Sequence, residues 1–109
     1  MQHIIFGGDG FVGRHLAADL VERGERVLVA DINRSELPHY ADATFIETDV
    51  TDRAAVGKVA MQPGDMVYNL SAKMLSPIMP RAKRYEFFWP VNYHGTKHIL
   101  EAMAEQGAD

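Results

Sequence analysis

Ile4-Ile5-Phe6-Gly7-Gly8-Asp9-Gly10-Phe11-Val12-Gly13-Arg14-His15-Leu16 is the stretch on which the reading of the fold turns. An apolar run enters a glycine turn and passes directly into a helical pattern. Gly7, Gly10 and Gly13 are spaced G-x-x-G-x-x-G, and each answers a different demand. At Gly7 the chain must leave a strand through a backbone conformation that a β-carbon hinders. Gly10 leaves room for a pyrophosphate to approach the main chain, and Gly13 lets the helix start close against the strand. The free N–H groups and positive dipole end of that helix then face the phosphates. A glycine-rich turn in an unrelated α/β fold would share the spacing alone. The preceding strand, the amphipathic helix that follows and the acid closing the next strand, Asp31, point to a dinucleotide site.

Composition narrows the field around that site. The chain has 109 residues, 47% of them hydrophobic, with a formal net charge of −4, which suits one globular domain over residues 1–109. A mildly acidic balance argues against nucleic-acid or membrane-surface binding, since either wants a basic face. There are no cysteines, which excludes disulfides, thiolate nucleophiles and cysteine-bound zinc. No signal-type segment opens the chain, and no apolar run approaches transmembrane length. The expected location is the cytoplasm.

Strands and helices alternate along the rest of the chain. Strand one is expected at about His3 to Phe6. Helix one follows from near Phe11 to Arg23, with Val12, Leu16, Leu20 and Val21 as its buried stripe and Gly24 as its cap. Arg26 to Ala30 is a nearly continuous apolar run, as in a parallel sheet covered on both faces, and it ends at Asp31. A connection from Ile32 to Asp42 is expected to hold one helical turn, stopped by Pro38. Strand three is Thr44 to Glu47, after which Thr51 or Asp52 caps a helix reaching about Ala60. Pro63-Gly64 marks a turn before strand four, Met66 to Leu70. A loop from Ser71 to Arg84 carries Pro77, Pro80 and three basic residues, Arg81, Lys83 and Arg84. The last helix runs from about Tyr85 to Glu105, bent or restarted at Pro90, and Gly107 ends it. Alternation of this kind predicts right-handed crossovers and a parallel sheet, with order 3-2-1-4 placing the glycine turn at the switch point.

Asp31 stands where an acid can accept hydrogen bonds from an adenosine ribose, although it could also be a plain turn residue. A carboxylate there favours NAD over NADP, whose 2′-phosphate it would repel; Arg34 nearby is the opposing feature. His94 and His98 share the spacing of two zinc ligands on one helix face, but no third ligand is evident, so a metal site is not expected.

At this point the chain resembles the N-terminal part of the extended short-chain dehydrogenases/reductases, the NAD-dependent epimerase/dehydratase group. Four segments carry the likeness. They are Gly7-Gly8-Asp9-Gly10-Phe11-Val12-Gly13, Asp31, Asp49-Val50-Thr51-Asp52, and Asn92-Tyr93-His94-Gly95-Thr96 with Leu100-Glu101-Ala102. The resemblance implies an α/β fold, half of a doubly wound (Rossmann) parallel sheet of about four strands. It implies that Gly7, Gly10, Phe11, Val12 and Gly13 meet the cofactor. Asp49 and the Val50 backbone would meet the adenine edge, unless Asp49 is only a loop or cap acid. Leu70, Ser71 and Ala72 would pass beneath the nicotinamide end, with Ser71 departing from the family's usual alanine. Asn92 would support the active site from below.

The family's catalytic Ser or Thr ends strand five, and its Tyr-x-x-x-Lys lies on the following helix. Tyr93-His94-Gly95-Thr96-Lys97 matches that pattern literally, but one helix too early, and is read as a decoy. No catalytic residue is therefore assigned within the chain, and these residues alone are expected to be inactive. The resemblance implies the NAD-binding portion of a nucleotide-sugar epimerase, dehydratase or reductase. A stand-alone dinucleotide-binding sensor or interaction module is the other reading. Homodimer formation is also expected. Strand four is an uncharged edge, and Phe87, Phe88, Val91, Ile99, Leu100 and Met103 cannot all face the sheet. In the resembling family this helix joins a four-helix dimer bundle. The Met74–Met79 loop would line a pocket.

Overall fold

Four parallel strands in the order 3-2-1-4 form the centre of the computed structural model, which describes residues 1–73 and 83–108. They are β1 (Gln2–Phe6), β2 (Arg26–Asp31), β3 (Thr44–Glu47) and β4 (Met66–Asn69). The strand order, the parallel pairing and the strand–helix alternation match the sequence reading. β2 pairs with β1 in the register Ile4 to Leu28 and Phe6 to Ala30, and β4 pairs on the other side with Ile4 opposite Val67.

Alternation along the central strands sends side chains to two separate cores. Ile4, Phe6, Leu28 and Ala30 face one layer, closed by Val50, Val56, Val59, Ile99 and Ala102. Ile5, Val27 and Val29 face the other, closed by Ala17, Leu20 and Tyr40. Helix α1 (Phe11–Glu22) covers the second face. Helices α2 (Arg53–Gly57) and α4 (Thr96–Gln106) cover the first. This double cover is why β2 is apolar on both sides.

Several local expectations are corrected. Val12 is 62% exposed, and the buried stripe of α1 is Gly13, Ala17 and Leu20, with Leu16 and Val21 half-buried. The first turn of α1 stands so close to the glycine turn that small residues, not large ones, make the contact. Gly24 caps α1 as expected. At φ +77 its N–H bonds Val21 O and that of Glu25 bonds Leu20 O, the paired pattern of a left-handed C-terminal cap. Pro38 starts a 3-10 turn (Pro38–Ala41) and does not stop one, its fixed φ suiting a first helical position. Asp52 is the cap of α2, accepting from Ala54 N at 3.0 Å and Ala55 N at 3.4 Å, and the helix ends at Gly57, short of Ala60.

β4 ends one residue earlier than expected, and β2 extends through Asp31. The last helix is α3 (Arg84–Trp89), a π segment (Pro90–Gly95) and α4 in unbroken succession. Pro90 lacks an N–H and crowds the preceding turn, and wider winding relieves the clash without a restart. The expectations placed on the Met74–Met79 loop, Pro77, Pro80 and Arg81 fall outside the described residues. Among the described residues no helix is long and apolar enough to cross a membrane.

Candidate functional site

The carboxyl ends of β1, β2 and β4 open onto one cleft of about 420 Å³. Its walls include Gly7, Gly10, Asp31, Asp49, Val50, Leu70, Ser71 and Ala72, eight of the eleven residues singled out from the sequence. Phe11, Val12 and Gly13 are not in its lining. Phe11 and Val12 lie exposed on the first turn of α1, and Gly13 is buried beneath it. Ile32, Thr48, Thr51, Lys73 and Val91 complete the walls, and of these only Thr51 lies within a motif noted in the sequence.

Two glycines shape the cleft floor. Gly7 has φ +76, and a β-carbon on it would stand 2.7 Å from both Leu70 C and Ser71 N. Only glycine lets β1 and the segment after β4 pass this close. Gly10 is the N-cap of α1, without a side-chain cap and without an acid in the first turn. The N–H groups at that end have no intrahelical acceptor. Together with the helix dipole they make a place for an anion. A β-carbon on Gly10 would meet only Gly7 O, at 3.3 Å, so the space above it is open. The residues present thus fit a dinucleotide pyrophosphate.

Asp31 closes the adjoining wall. Its Oδ1 accepts from Ile32 N at 2.7 Å and its Oδ2 from Asp9 N at 2.9 Å. These bonds aim the carboxylate along the rim of the cleft. Asp49 serves its own loop, with Oδ1 accepting from Thr51 N at 2.9 Å and Thr51 Oγ1 at 2.7 Å. Those bonds hold its carboxyl below the usual value, with Lys73 adding to the effect against a smaller cost of burial. Val50 is wedged in place by two contacts that the sequence did not reveal. His98 Nδ1 donates to Val50 O across 2.7 Å, and Gly95 leaves no space for a β-carbon against Val50 Cγ2. His98 is therefore a structural hydrogen-bonder. Among the described residues no cluster of metal-ligating side chains occurs.

Beyond β4, Asn92 grips the Lys73 backbone from both sides. Lys73 N donates to Asn92 Oδ1 at 2.9 Å, and Asn92 Nδ2 donates to Lys73 O at 3.2 Å. Asn69 Nδ2 donates to Thr96 Oγ1 at 3.0 Å, while Asn69 Oδ1 accepts from Ser71 N at 3.1 Å. The π segment is thus tied to the segment that forms the cleft wall. Tyr93 and Lys97 lie elsewhere, lining a separate groove along α4. The Tyr93 ring stacks on Trp89 at 4.2 Å between centroids.

Asp9, quoted in the glycine stretch without a role, proves to be a buried hub. Its side chain accepts from Tyr40 Oη, from Ser35 N at 3.1 Å and from Ser35 Oγ at 2.8 Å. Burial pushes the Asp9 carboxyl up, but the Tyr40 and Ser35 bonds and the Arg14 guanidinium outweigh it and hold it below the usual range. Burial and the same carboxylate push the Tyr40 phenol well above its ordinary value. A charged residue between two glycines of a buried turn was the available signal.

The family model of NAD dependent epimerases/dehydratases matches residues 3–109. The chain belongs to the NAD dependent epimerase/dehydratase family. It is 28% identical over 120 residues to the UDP-glucose 4-epimerase of Erwinia amylovora, an alignment covering 100% of this chain and 35% of that one. It is 32% identical over 104 residues to the sterol-4-alpha-carboxylate 3-dehydrogenase, decarboxylating, of Homo sapiens, covering 94% of this chain and 26% of the other. Among solved structures, the UDP-glucose 4-epimerase of Thermus thermophilus in complex with NAD superposes with a TM-score of 0.83 at 26% identity. That alignment covers 98% of this chain and 35% of the epimerase. The family member described here therefore spans only about a quarter to a third of the length of these relatives.

Proposed function

We propose that this chain is the NAD-binding portion of an epimerase/dehydratase-type oxidoreductase acting on a nucleotide sugar. The observation that carries the reading is the uncapped N-terminus of α1 above the open space at Gly10, with Asp31 on the same cleft. NAD, when bound, supplies the hydride acceptor. The chain's own residues bind and orient it. The N–H groups at the start of α1 take the pyrophosphate, Asp31 takes the ribose hydroxyls, and Asp49 with the Val50 backbone borders the adenine. Leu70, Ser71 and Ala72 run beneath the nicotinamide end, held there by Asn69 and Asn92. Tyr93 and Lys97 take no part, which fits the stacking of Tyr93 on Trp89.

Calorimetric titration with NAD and NADP tests this reading. NAD should bind more tightly, and Asp31→Ala should bring the two affinities to within about threefold, because the carboxylate that repels the 2′-phosphate is gone. Equal or tighter binding of NADP by the unchanged chain would refute the assignment of Asp31.

We further propose that the chain pairs with a second copy through its last helical stretch. Tyr85, Phe87, Tyr93 and Leu100 are exposed there, and Tyr85, Trp89 and Tyr93 stack ring on ring along one side. Sedimentation at high micromolar concentration should show a dimer that Leu100→Glu weakens. A clean monomer removes the proposal.

A further inference from the structure

Asp9 is 6% exposed behind the cleft rim, and three donors converge on its carboxylate. All three come from the segment that follows Asp31, namely the Ser35 amide, the Ser35 hydroxyl and the Tyr40 phenol. The guanidinium of that segment, on Arg34, lies over the Tyr40 ring at 5.4 Å and the Phe45 ring at 5.8 Å. A phosphate on the adenosine 2′-oxygen would need donors and positive charge from this same segment, just past the ribose-binding acid. Here the Ser35 and Tyr40 donors already serve an anion of the protein, and the Arg34 guanidinium is laid over aromatic rings. The Asp9 backbone is involved as well, since its N–H donates to Asp31 Oδ2 at 2.9 Å. One residue therefore orients the ribose-binding carboxylate and adds a second negative charge behind it.

We propose that Asp9 is a specificity-determining residue, an internal anion that occupies the donors a 2′-phosphate would require and so excludes NADP alongside Asp31. This rests on the NAD-binding reading above and adds a second charge to the one usually credited. Hydrogen bonds to Asp9 keep it ionised against the cost of its burial. The charge is buried enough that salt screens it weakly. A residue that merely braced the loop would act on both cofactors alike. An anion acts on their ratio.

The test uses the 109-residue chain with 5′-AMP and adenosine 2′,5′-bisphosphate as probes, titrated calorimetrically, so that only the adenosine half of the cleft is read. The unchanged chain should prefer 5′-AMP. Asp9→Asn, which keeps the shape and removes the charge, should cut that preference by about tenfold. Tyr40→Phe keeps the charge and removes one donor, and should lower both affinities together with the preference intact. Asp9→Ser should reproduce the ratio change if Asp9→Asn proves poorly folded. A preference unchanged to within about twofold in the folded Asp9 variant overturns the proposal. So does an equal shift in Tyr40→Phe, which keeps the Asp9 charge and would show that the charge does not set the ratio. If the unchanged chain binds neither 5′-AMP nor NAD, the underlying NAD-binding reading fails and this one fails with it. That result is distinct from retained binding with an unmoved ratio.

Discussion

Gly13→Ala should leave the chain unfolded, although it adds a single methyl group. The new carbon would stand 2.5 Å from Gly7 O, 2.6 Å from Gly8 Cα and 2.8 Å from Gly8 C. All three are backbone atoms of the turn that links β1 to α1, so no side chain can rotate away. The clash can be relieved only by moving α1 off the sheet. That would separate Ala17 and Leu20 from Ile5, Val27 and Val29, the contacts that close one of the two cores. Ordinary overpacking costs about 1–3 kcal/mol, and a backbone clash with loss of a core face should exceed about 4 kcal/mol. A domain of this size has total stability on the order of 5–15 kcal/mol, and toward the lower end of that range a loss of this size leaves the chain unfolded. Urea denaturation followed by circular dichroism checks it. A cooperative transition with nearly the parent's midpoint would show that α1 adjusts at small cost.

The contrast between Gly13 and Val12 shows how far hydrophobic periodicity reaches. It placed α1 and its register along the chain, because Leu16, Leu20 and Val21 recur at helical spacing. It misassigned Val12, because the pattern scores large apolar residues and the contact is made by glycine and alanine. Strand order was legible for a related reason. A continuous apolar run at β2 requires cover on both faces, and short strand–helix alternation permits few topologies. The Asp9 hub was signalled only by a charge set between two glycines, and its partners were not legible at all. Its partners Ser35 and Tyr40 lie 26 and 31 residues away in sequence, in a connection with no motif of its own. The same holds for His98 and Val50, 48 residues apart. Local pattern locates elements and the glycine turn, while long-range polar pairs emerge only once the elements are packed. The π segment at Pro90 lies between these cases, since proline announces a disturbance but not its form.

Gly10→Val should do the reverse of Gly13→Ala: the fold should survive and NAD binding should vanish. Gly10 has φ −74 and ψ 178, extended backbone that valine adopts without strain. Its β-carbon would meet only Gly7 O, at 3.3 Å, which asks for an adjustment of a few tenths of an ångström. Glycine is a modest N-cap, and replacing it with an apolar residue costs about 1 kcal/mol, a shift of a few degrees in melting temperature. The two γ-methyls, however, would stand in the open space above the first turn of α1. There they would shield the unpaired N–H groups and fill the place of the pyrophosphate. Losing that contact should weaken NAD by at least about 100-fold, beyond reach of an ordinary titration. Thermal melting and calorimetry on the same preparation read the two effects separately. Binding within about threefold of the parent would mean that the phosphates do not sit at this helix end. A collapse in melting temperature together with lost binding would instead make Gly10 a structural glycine like Gly13, and the open space above it would no longer argue for a ligand.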